Sequence, residues 1–174
     1  MLQLSASLLK QPVMSLRTGA EIAHTESAII NPNNLKIEGF YCMDYFSKQK
    51  LVLLSQDIRD NSKQGLIVDD HEVLTDASEL VRLKSILEIN FELLGKSVET
   101  VSKHKVGKIT DFAADNQTLY IQKLYVGPTL IKSLTSGQLS VDRSQIVEIT
   151  NRRIVIKDLE QPIKGAAPAT APAV

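Results

Sequence analysis

The sequence predicts a mainly β protein built from two similar units in tandem. Short apolar runs, such as Ile154-Val155-Ile156, have the β-branched composition of strands. Turn-forming residues separate these runs, as in Asn31-Pro32-Asn33-Asn34. The 174-residue chain also repeats its own apolar pattern, and its length suits one ordinary domain or two small ones.

Three blocks of apolar sequence recur in the same order. The offset between the copies is 85 in the first block, 84 in the second and 66 in the third. The drop from 84 to 66 assigns 18 extra residues to the first copy, between Cys42 and Asp76. We therefore predict a first repeat over residues 1–88 with this insertion, and a second repeat over residues 91–158. The aligned pairs include Leu8 with Leu93, Val13 with Val98, Leu35 with Leu119, Ile37 with Ile121, and Asp76 with Asp142.

The 18 additional residues predict one extra or lengthened hairpin. Two apolar runs, Leu51–Leu54 and Leu66–Val68, flank a polar turn in this stretch. The last residues, 159–174, are rich in alanine and proline and have almost nothing to bury. They predict a flexible tail, or alternatively a partner-binding peptide.

A short helical turn is predicted near the end of each repeat. Asp142 precedes Gln145 by three residues, and Asp76 precedes Glu79 by the same spacing, which is typical of a helix cap. The second repeat then continues as a strand. In the first repeat, residues 76–90 are compatible either with a longer helix or with a helix followed by a strand.

Three motifs in the second repeat point to a known family. They are Leu94–Val98 (LGKSV), Val106–Phe112 (VGKITDF) and Asp142–Ile149 (DRSQIVEI). This repeat resembles the PRC-barrel family, and the whole chain is similar to a tandem pair of such domains. The first repeat departs from the pattern at Lys10, which stands where Gly95 does.

The resemblance implies a fold and a type of role. Each repeat would be a strongly bent β-sheet that closes into a small barrel of about six strands. Related domains form the C-terminal domain of the ribosome-maturation factor RimM and the cytoplasmic part of the photosynthetic reaction-centre H subunit. They act mainly as protein-contact modules.

The sequence lacks the usual signatures of catalysis and cofactor binding. No two of its eight glycines lie closer than 10 residues apart, which excludes a dinucleotide fingerprint and a phosphate loop. The single cysteine, Cys42, and three isolated histidines exclude a clustered zinc site. Cys42 has no cationic neighbour in sequence and is expected to be buried. We expect a non-enzymatic protein with no catalytic residue, no cofactor and no small-molecule substrate.

The densest group of potential metal ligands is Asp69-Asp70-His71-Glu72. On a strand, only two of these side chains would share each face, which leaves a metal site incomplete. A solvated hairpin end is the simpler interpretation, and we expect no metal.

Four of the eight aromatic residues lie within seven positions. This cluster has two interpretations, a strand packed in the first repeat or an exposed contact patch. Its aromatic members are Phe40, Tyr41, Tyr45 and Phe46.

Charge distinguishes the two repeats, although the chain as a whole is neutral. Residues 7–88 carry 9 basic and 12 acidic side chains, a net charge of −3, and residues 91–158 carry 10 and 7, a net charge of +3. A basic edge of the second repeat would suit contacts with the phosphates of an RNA. The simpler alternative is that the basic side chains only keep the hairpin tips exposed to solvent. The opposite charges would equally favour docking of the repeats. The basic residues are Lys103, Lys105, Lys108, Arg152 and Arg153.

These observations favour a cytoplasmic protein-interaction or scaffold module. The lone cysteine suits a reducing compartment, and no apolar run approaches the roughly 20 residues of a membrane span. We expect a protein partner, which the sequence does not identify. The alternative is an RNA- or ribosome-associated maturation factor that uses the basic edge.

Overall fold

The computed structural model describes residues 1–128 and 138–158. Strands hold 53% of these residues and helices 17%, which confirms the mainly β class. The predicted tail, residues 159–174, lies outside the described residues.

Strands with alternating burial make up most of the described chain. Between positions 36 and 44, for example, Phe40 and Cys42 face the core, whereas Tyr41 and Met43 are partly exposed. The strands are β1 (Leu2–Leu4), β2 (Pro12–Ser15), β3 (Glu21–Asn31), β4 (Lys36–Asp44), β5 (Lys50–Leu54), β6 (Ile58–Ser62), β7 (Gly65–Val68), β8 (Leu74–Thr75), β9 (Ser97–Thr100), β10 (Lys105–Asp115), β11 (Ile121–Pro128), β12 (Leu139–Asp142), β13 (Ile146–Ile149) and β14 (Arg153–Ile156).

Helical structure in the described residues is limited to short segments. Helix α1 spans Ser5–Leu8, and α2 spans Lys84–Ile89 and ends at Asn90, whose φ of 46° is left-handed. Residues 76–90 therefore form helical turns that lead into α2, and the alternative of a strand within this segment is wrong. The 3-10 turns are Ser55–Asp57, His71–Val73, Ala77–Glu79, Val81–Leu83 and Arg143–Gln145.

The strands form two seven-stranded sheets. The first has the order β6-β7-β2-β3-β4-β5-β8, and the second has the order β12-β11-β10-β9-β14-β13 with β1 beside β10. Six strands of each sheet thus follow the same order, and in each sheet one pair is parallel, β2 with β7 and β9 with β14. Hydrogen bonds between the described strands leave both sheets open. Two closed barrels are therefore not confirmed.

Residues of the first block make equivalent backbone hydrogen bonds in the two sheets. The amide N of Lys10 donates to the carbonyl O of Thr25 at 2.8 Å, and that of Gly95 donates to the carbonyl O of Ile109 at 2.7 Å. Lys10 and Gly95 also share a left-handed backbone, with φ of 61° and 79°. Lys10 and Gly95, which the sequence aligns, therefore have the same backbone conformation and equivalent hydrogen bonds.

Residues of the second block also have equivalent backbone geometry in the two repeats. Leu35 and Leu119, an offset of 84, both have a left-handed backbone, with φ of 51° and 57°. Each donates its amide to the carbonyl O four residues earlier at 2.8 Å, Leu35 to Asn31 and Leu119 to Asp115. The turns after β3 and β10 are therefore equivalent.

The third block, with its offset of 66, is wrong. Ile58 lies opposite Val68 in the first sheet, and Ile146 lies opposite Ile156 in the second, so the sheets are related here by an offset of 88. Strands β5 and β7, which the sequence assigned to an 18-residue insertion, belong to the repeated unit itself. Asp76 lies in the segment that follows β7, outside the six strands that the two sheets have in common.

The two repeats share strands and a core. Strand β1 lies in the region assigned to the first repeat, yet it pairs with β10 of the second sheet. One continuous cluster of buried side chains includes Val13 and Phe40 from the first sheet and Phe112 and Ile154 from the second. The boundary drawn at residue 88 therefore does not separate two independent cores.

Equivalent segments of the two repeats also contact each other. Ile37 donates its amide to the carbonyl O of Leu119 at 2.9 Å, and Ile121 donates to the carbonyl O of Leu35 at 2.9 Å. Adding 84 to the donor of the first bond gives the donor of the second, and subtracting 84 from its acceptor gives the acceptor of the second. The junction is thus approximately twofold symmetric.

Candidate functional site

The structure separates the four predicted aromatic residues. Phe40 is fully buried in the core, and Tyr41 and Tyr45 are partly buried. The hydroxyl of Tyr45 donates to Oε1 of Glu21 at 2.6 Å. Phe46, by contrast, exposes 70% of its surface just beyond the end of β4. Only the last of the four has the exposure of a contact residue.

A buried carboxylate fixes the loop that carries Phe46. Asp44 is fully buried, and its Oδ2 accepts hydrogen bonds from the amide and the hydroxyl of Ser47 at 2.8 and 2.5 Å. Its Oδ1 accepts from the amide of Phe46 at 3.3 Å and lies 2.8 Å from Nε2 of His71. Burial alone raises the pKa of Asp44, but the hydrogen bonds from Ser47, His71 and Phe46 outweigh it and hold the pKa below its ordinary value.

His71 links this loop to the segment that follows β7. Its ring meets Phe46 edge-on, with the ring centroids 5.1 Å apart and the planes at 89°. Its side chain remains 38% exposed. The histidine therefore supports one side of the aromatic ring without covering it.

The loop after β2 lies at the same end of the first sheet. Leu16 donates its amide to the carbonyl O of Val68 and exposes 62% of its surface. Arg17 forms an ion pair with Asp70, the residue before His71. We call Leu16, Arg17, Phe46 and His71 the Phe46 surface. It combines two exposed apolar side chains with two polar ones.

The acidic motif Asp69-Asp70-His71-Glu72 does not converge on one point. Nε of Arg59 donates to Oδ1 of Asp69 at 2.8 Å, and the hydroxyl of Ser15 donates to Oδ1 of Asp70 at 2.9 Å. His71 faces Asp44 instead. Within residues 1–128 and 138–158, no group of three or more histidine, cysteine or acidic side chains is placed to hold a metal ion.

Cys42 is buried in the core, as the sequence predicts. Burial raises the pKa of its thiol to about 12. At neutral pH the side chain is a protonated apolar group that packs between the strands.

The predicted basic edge divides into two parts. Lys103 lies in the turn between β9 and β10, and Lys105 is opposite Glu99. Lys108 and Arg153 instead lie on either side of Ser97, at the other end of β9, because β10 runs antiparallel to β9 and β14 runs parallel to it. Arg152 is adjacent to this second part. All five predicted basic residues are exposed, but they do not form one cluster.

Sequence reasoning missed Lys96. Its Nζ donates to the carbonyl O of Asn151 at 2.7 Å and lies 4.5 Å from the ring centroid of Phe91. A groove of about 510 Å³ runs beside it, with Arg152 in its wall. The sequence gives little indication of this contact, because Asn151 is 55 residues away from Lys96. The parallel pairing of β14 with β9 brings the two residues together.

Two further observations bear on identity. No helix in the described residues has both the length and the apolar character that crossing a membrane requires. No protein-family model matches the chain, and no curated protein matches it either.

Proposed function

We propose that the protein is a non-enzymatic contact module that binds another protein through the Phe46 surface. The observation that carries this proposal is the exposure of Phe46 on a loop fixed by the buried Asp44. An exposed phenylalanine gains about 1.5–3 kcal/mol when a partner buries it. A fixed loop loses little conformational entropy on binding, so most of that gain is retained.

The composition of the Phe46 surface also suits a protein partner. Aromatic and arginine side chains are enriched among the residues that dominate binding energy, and polar groups commonly surround them. Phe46 and Leu16 supply apolar area, and Arg17 and His71 supply polar contacts at its edge.

We further propose that each sheet is a PRC-type barrel. The shared order of six strands, with one parallel pair in each sheet, supports this. In each repeat the chain passes between the two outermost of these six strands through a 3-10 turn, at Ser55–Asp57 and at Arg143–Gln145. The free thiol of Cys42 favours a cytoplasmic location.

The test is affinity purification from the cells that express the protein, with nuclease treatment. We compare the wild type with Phe46→Ser and with a matched control, Val147→Ser, which changes an apolar residue that is 54% exposed on β13. A protein that the wild type and the control recover in equal yield, and Phe46→Ser does not, supports the proposal. Equal recovery by all three variants contradicts it. Recovery that nuclease abolishes would favour the RNA-associated alternative.

A further inference from the structure

One surface of the second repeat brings together four cationic side chains at the start of β9 and beside the adjacent groove. The two sheets are related by offsets of 85, 84 and 88 residues, so each residue of this surface has an equivalent position in the first repeat. The four cations correspond to a histidine and three uncharged residues of the first repeat, which instead carries Lys10 and Lys63 where the second repeat has Gly95 and Asn151. The pairs are Lys96 and Gln11, Lys108 and His24, Arg152 and Gln64, and Arg153 and Gly65.

Two of these cations flank a serine across three adjacent strands. Ser97 of β9 lies opposite Lys108 on one side and Arg153 on the other. All three side chains are exposed, because the following residue of each strand, such as Val98, is the one that faces the core. Neighbouring strands lie about 4.8 Å apart, so the two cations can reach one anion above the serine hydroxyl.

Lys96 and Arg152 extend this row toward the adjacent groove. The contacts of Lys96 with Asn151 and Phe91 hold its ammonium group in place. Burial lowers the pKa of Lys96, and the nearby Glu92 opposes this effect. Arg152 lines the same groove and is exposed.

Carboxylates only partly neutralise the surface. Oε1 of Glu99 lies 3.0 Å from Nε of Arg153, and Glu92 lies in the wall of the groove. Four cations therefore face two anions. The remaining positive charge attracts an anion of more than one negative charge.

We propose that Lys96, Ser97, Lys108, Arg152 and Arg153 form a binding site for the phosphate group of a phosphate ester or polyphosphate. Arginine matches the geometry of phosphate oxygens, lysine supplies a point charge, and the serine hydroxyl donates a hydrogen bond. The phosphate belongs either to a nucleic-acid backbone or to a small phosphorylated compound. This site is separate from the Phe46 surface and does not depend on the function proposed for it.

The experiment is an NMR titration of the full-length ¹⁵N-labelled protein with three probes at low salt. The probes are inorganic pyrophosphate, a single-stranded RNA oligonucleotide without terminal phosphates, and a poly-glutamate peptide of the same charge as the RNA. The variant carries Lys108→Gln with Arg153→Gln, and the matched control carries Arg82→Gln with Lys84→Gln, two exposed cations of the first repeat.

The proposal expects saturable shifts of the Ser97 and Lys108 amides with pyrophosphate, with RNA, or with both. The variant should bind at least tenfold more weakly, and the control should bind within twofold of the wild type. If the source is RNA, loss of two phosphate contacts also reduces the slope of log K against log salt by about 1.4. If only pyrophosphate binds, the source is a small phosphorylated compound.

Three results overturn the proposal. They are no shift at Ser97 or Lys108 with either phosphate probe, an equal loss of binding in variant and control, and equally tight binding of the poly-glutamate peptide. The last would identify a general surface for acidic proteins. If the variant fails to fold, Lys96→Gln with Arg152→Gln replaces it, because neither residue is paired with Glu99.

Discussion

Nε2 of His71 lies 2.8 Å from Oδ1 of Asp44, a carboxylate with no exposed surface. This contact joins the loop after β4 to the segment after β7, and Phe46 packs against the same histidine. Two loops that are distant in sequence are thereby held together at one end of the first sheet. The exposure of Phe46 is thus a property of a fixed loop, which is why we treat it as a binding feature.

We predict that Asp44→Asn destabilises the protein and loosens this loop. The asparagine cannot accept all four hydrogen bonds, because its amide nitrogen is a donor where Ser47 also donates. The free energy of unfolding, measured by urea denaturation, should fall by about 2 kcal/mol. Asp69→Asn is the control, since Asp69 pairs with Arg59 at the surface, and it should change the value by less than about 1 kcal/mol. Equal effects of the two substitutions would contradict this role of Asp44.

Acid should destabilise the wild type more than Asp44→Asn. The pKa of Asp44 is lower in the folded protein than in the unfolded chain, so its stabilisation is fully present above about pH 5 and declines as the pH falls through the unfolded pKa of about 3.9 and below it. Asp115, whose pKa is lowered by hydrogen bonds from Thr118 and the N-terminal ammonium group, adds to the same trend in both proteins. Urea denaturation between pH 5 and pH 2 measures the two slopes. Parallel curves would show that Asp44 does not contribute.

The backbone at Lys10 and Gly95 predicts opposite effects of substitution. A non-glycine residue with a left-handed backbone costs about 1 kcal/mol, so Lys10→Gly should raise the free energy of unfolding by about 0.5–1 kcal/mol. Gly95→Ala should lower it by about 1 kcal/mol, and only through the backbone, because an added Cβ meets no atom within 4 Å. Thermal denaturation of both variants measures the effect. A loss of stability in Lys10→Gly would show that the lysine side chain matters more than its backbone.

The repeat could be predicted from the sequence at positions where similar residues also occupy equivalent places in the two sheets. Leu35 and Leu119 each follow a polar turn and precede equivalent strands, β4 and β11. An offset of 84 therefore aligns both the turns and the strands. The alignment of the third block is wrong because it rests on two capping residues, Asp76 and Asp142. A capping residue indicates a local helical turn and does not indicate which strands the turn connects. The side chain of Asp76 accepts from the amide of Ser78, and the amide of Asp142 donates to Gln145, yet only the second turn connects strands of the repeated unit.

The residue types of the candidate surfaces could be predicted from the sequence, but the positions of these residues in the fold could not. Phe40 and Phe46 lie in one aromatic cluster, but strand alternation buries the first, and the second lies beyond the strand end. Lys103 and Lys108 are close in sequence, yet the hairpin places them at opposite ends of β9. Such separations depend on strand pairing, which a single sequence does not determine.

Arg143 should stabilise the junction between the repeats. Its Nη2 donates to the carbonyl O of Asn34 at 2.5 Å, its Nη1 donates to that of Ile121 at 3.3 Å, and its guanidinium lies 5.1 Å from the ring centroid of Tyr120. Arg143→Ala should lower the free energy of unfolding by about 2 kcal/mol.

Hydrogen exchange tests where this stabilisation acts. In Arg143→Ala, the amides of Ile37 and Ile121, which bond across the junction, should exchange faster than those of β7. Arg82→Ala removes an exposed arginine and should leave both rates unchanged. Uniformly faster exchange throughout the chain would show that Arg143 stabilises the whole fold without acting specifically at the junction.

The most direct test of the account is site-specific photo-crosslinking in the cells that express the protein. A benzophenone side chain replaces Phe46 in one variant and Val147 in the other, so both probes lie on exposed apolar positions. We predict a discrete, nuclease-resistant protein adduct from position 46 and no adduct of that mass from position 147. No adduct from position 46, or the same adducts from both positions, would contradict the claim that the Phe46 surface binds a protein partner.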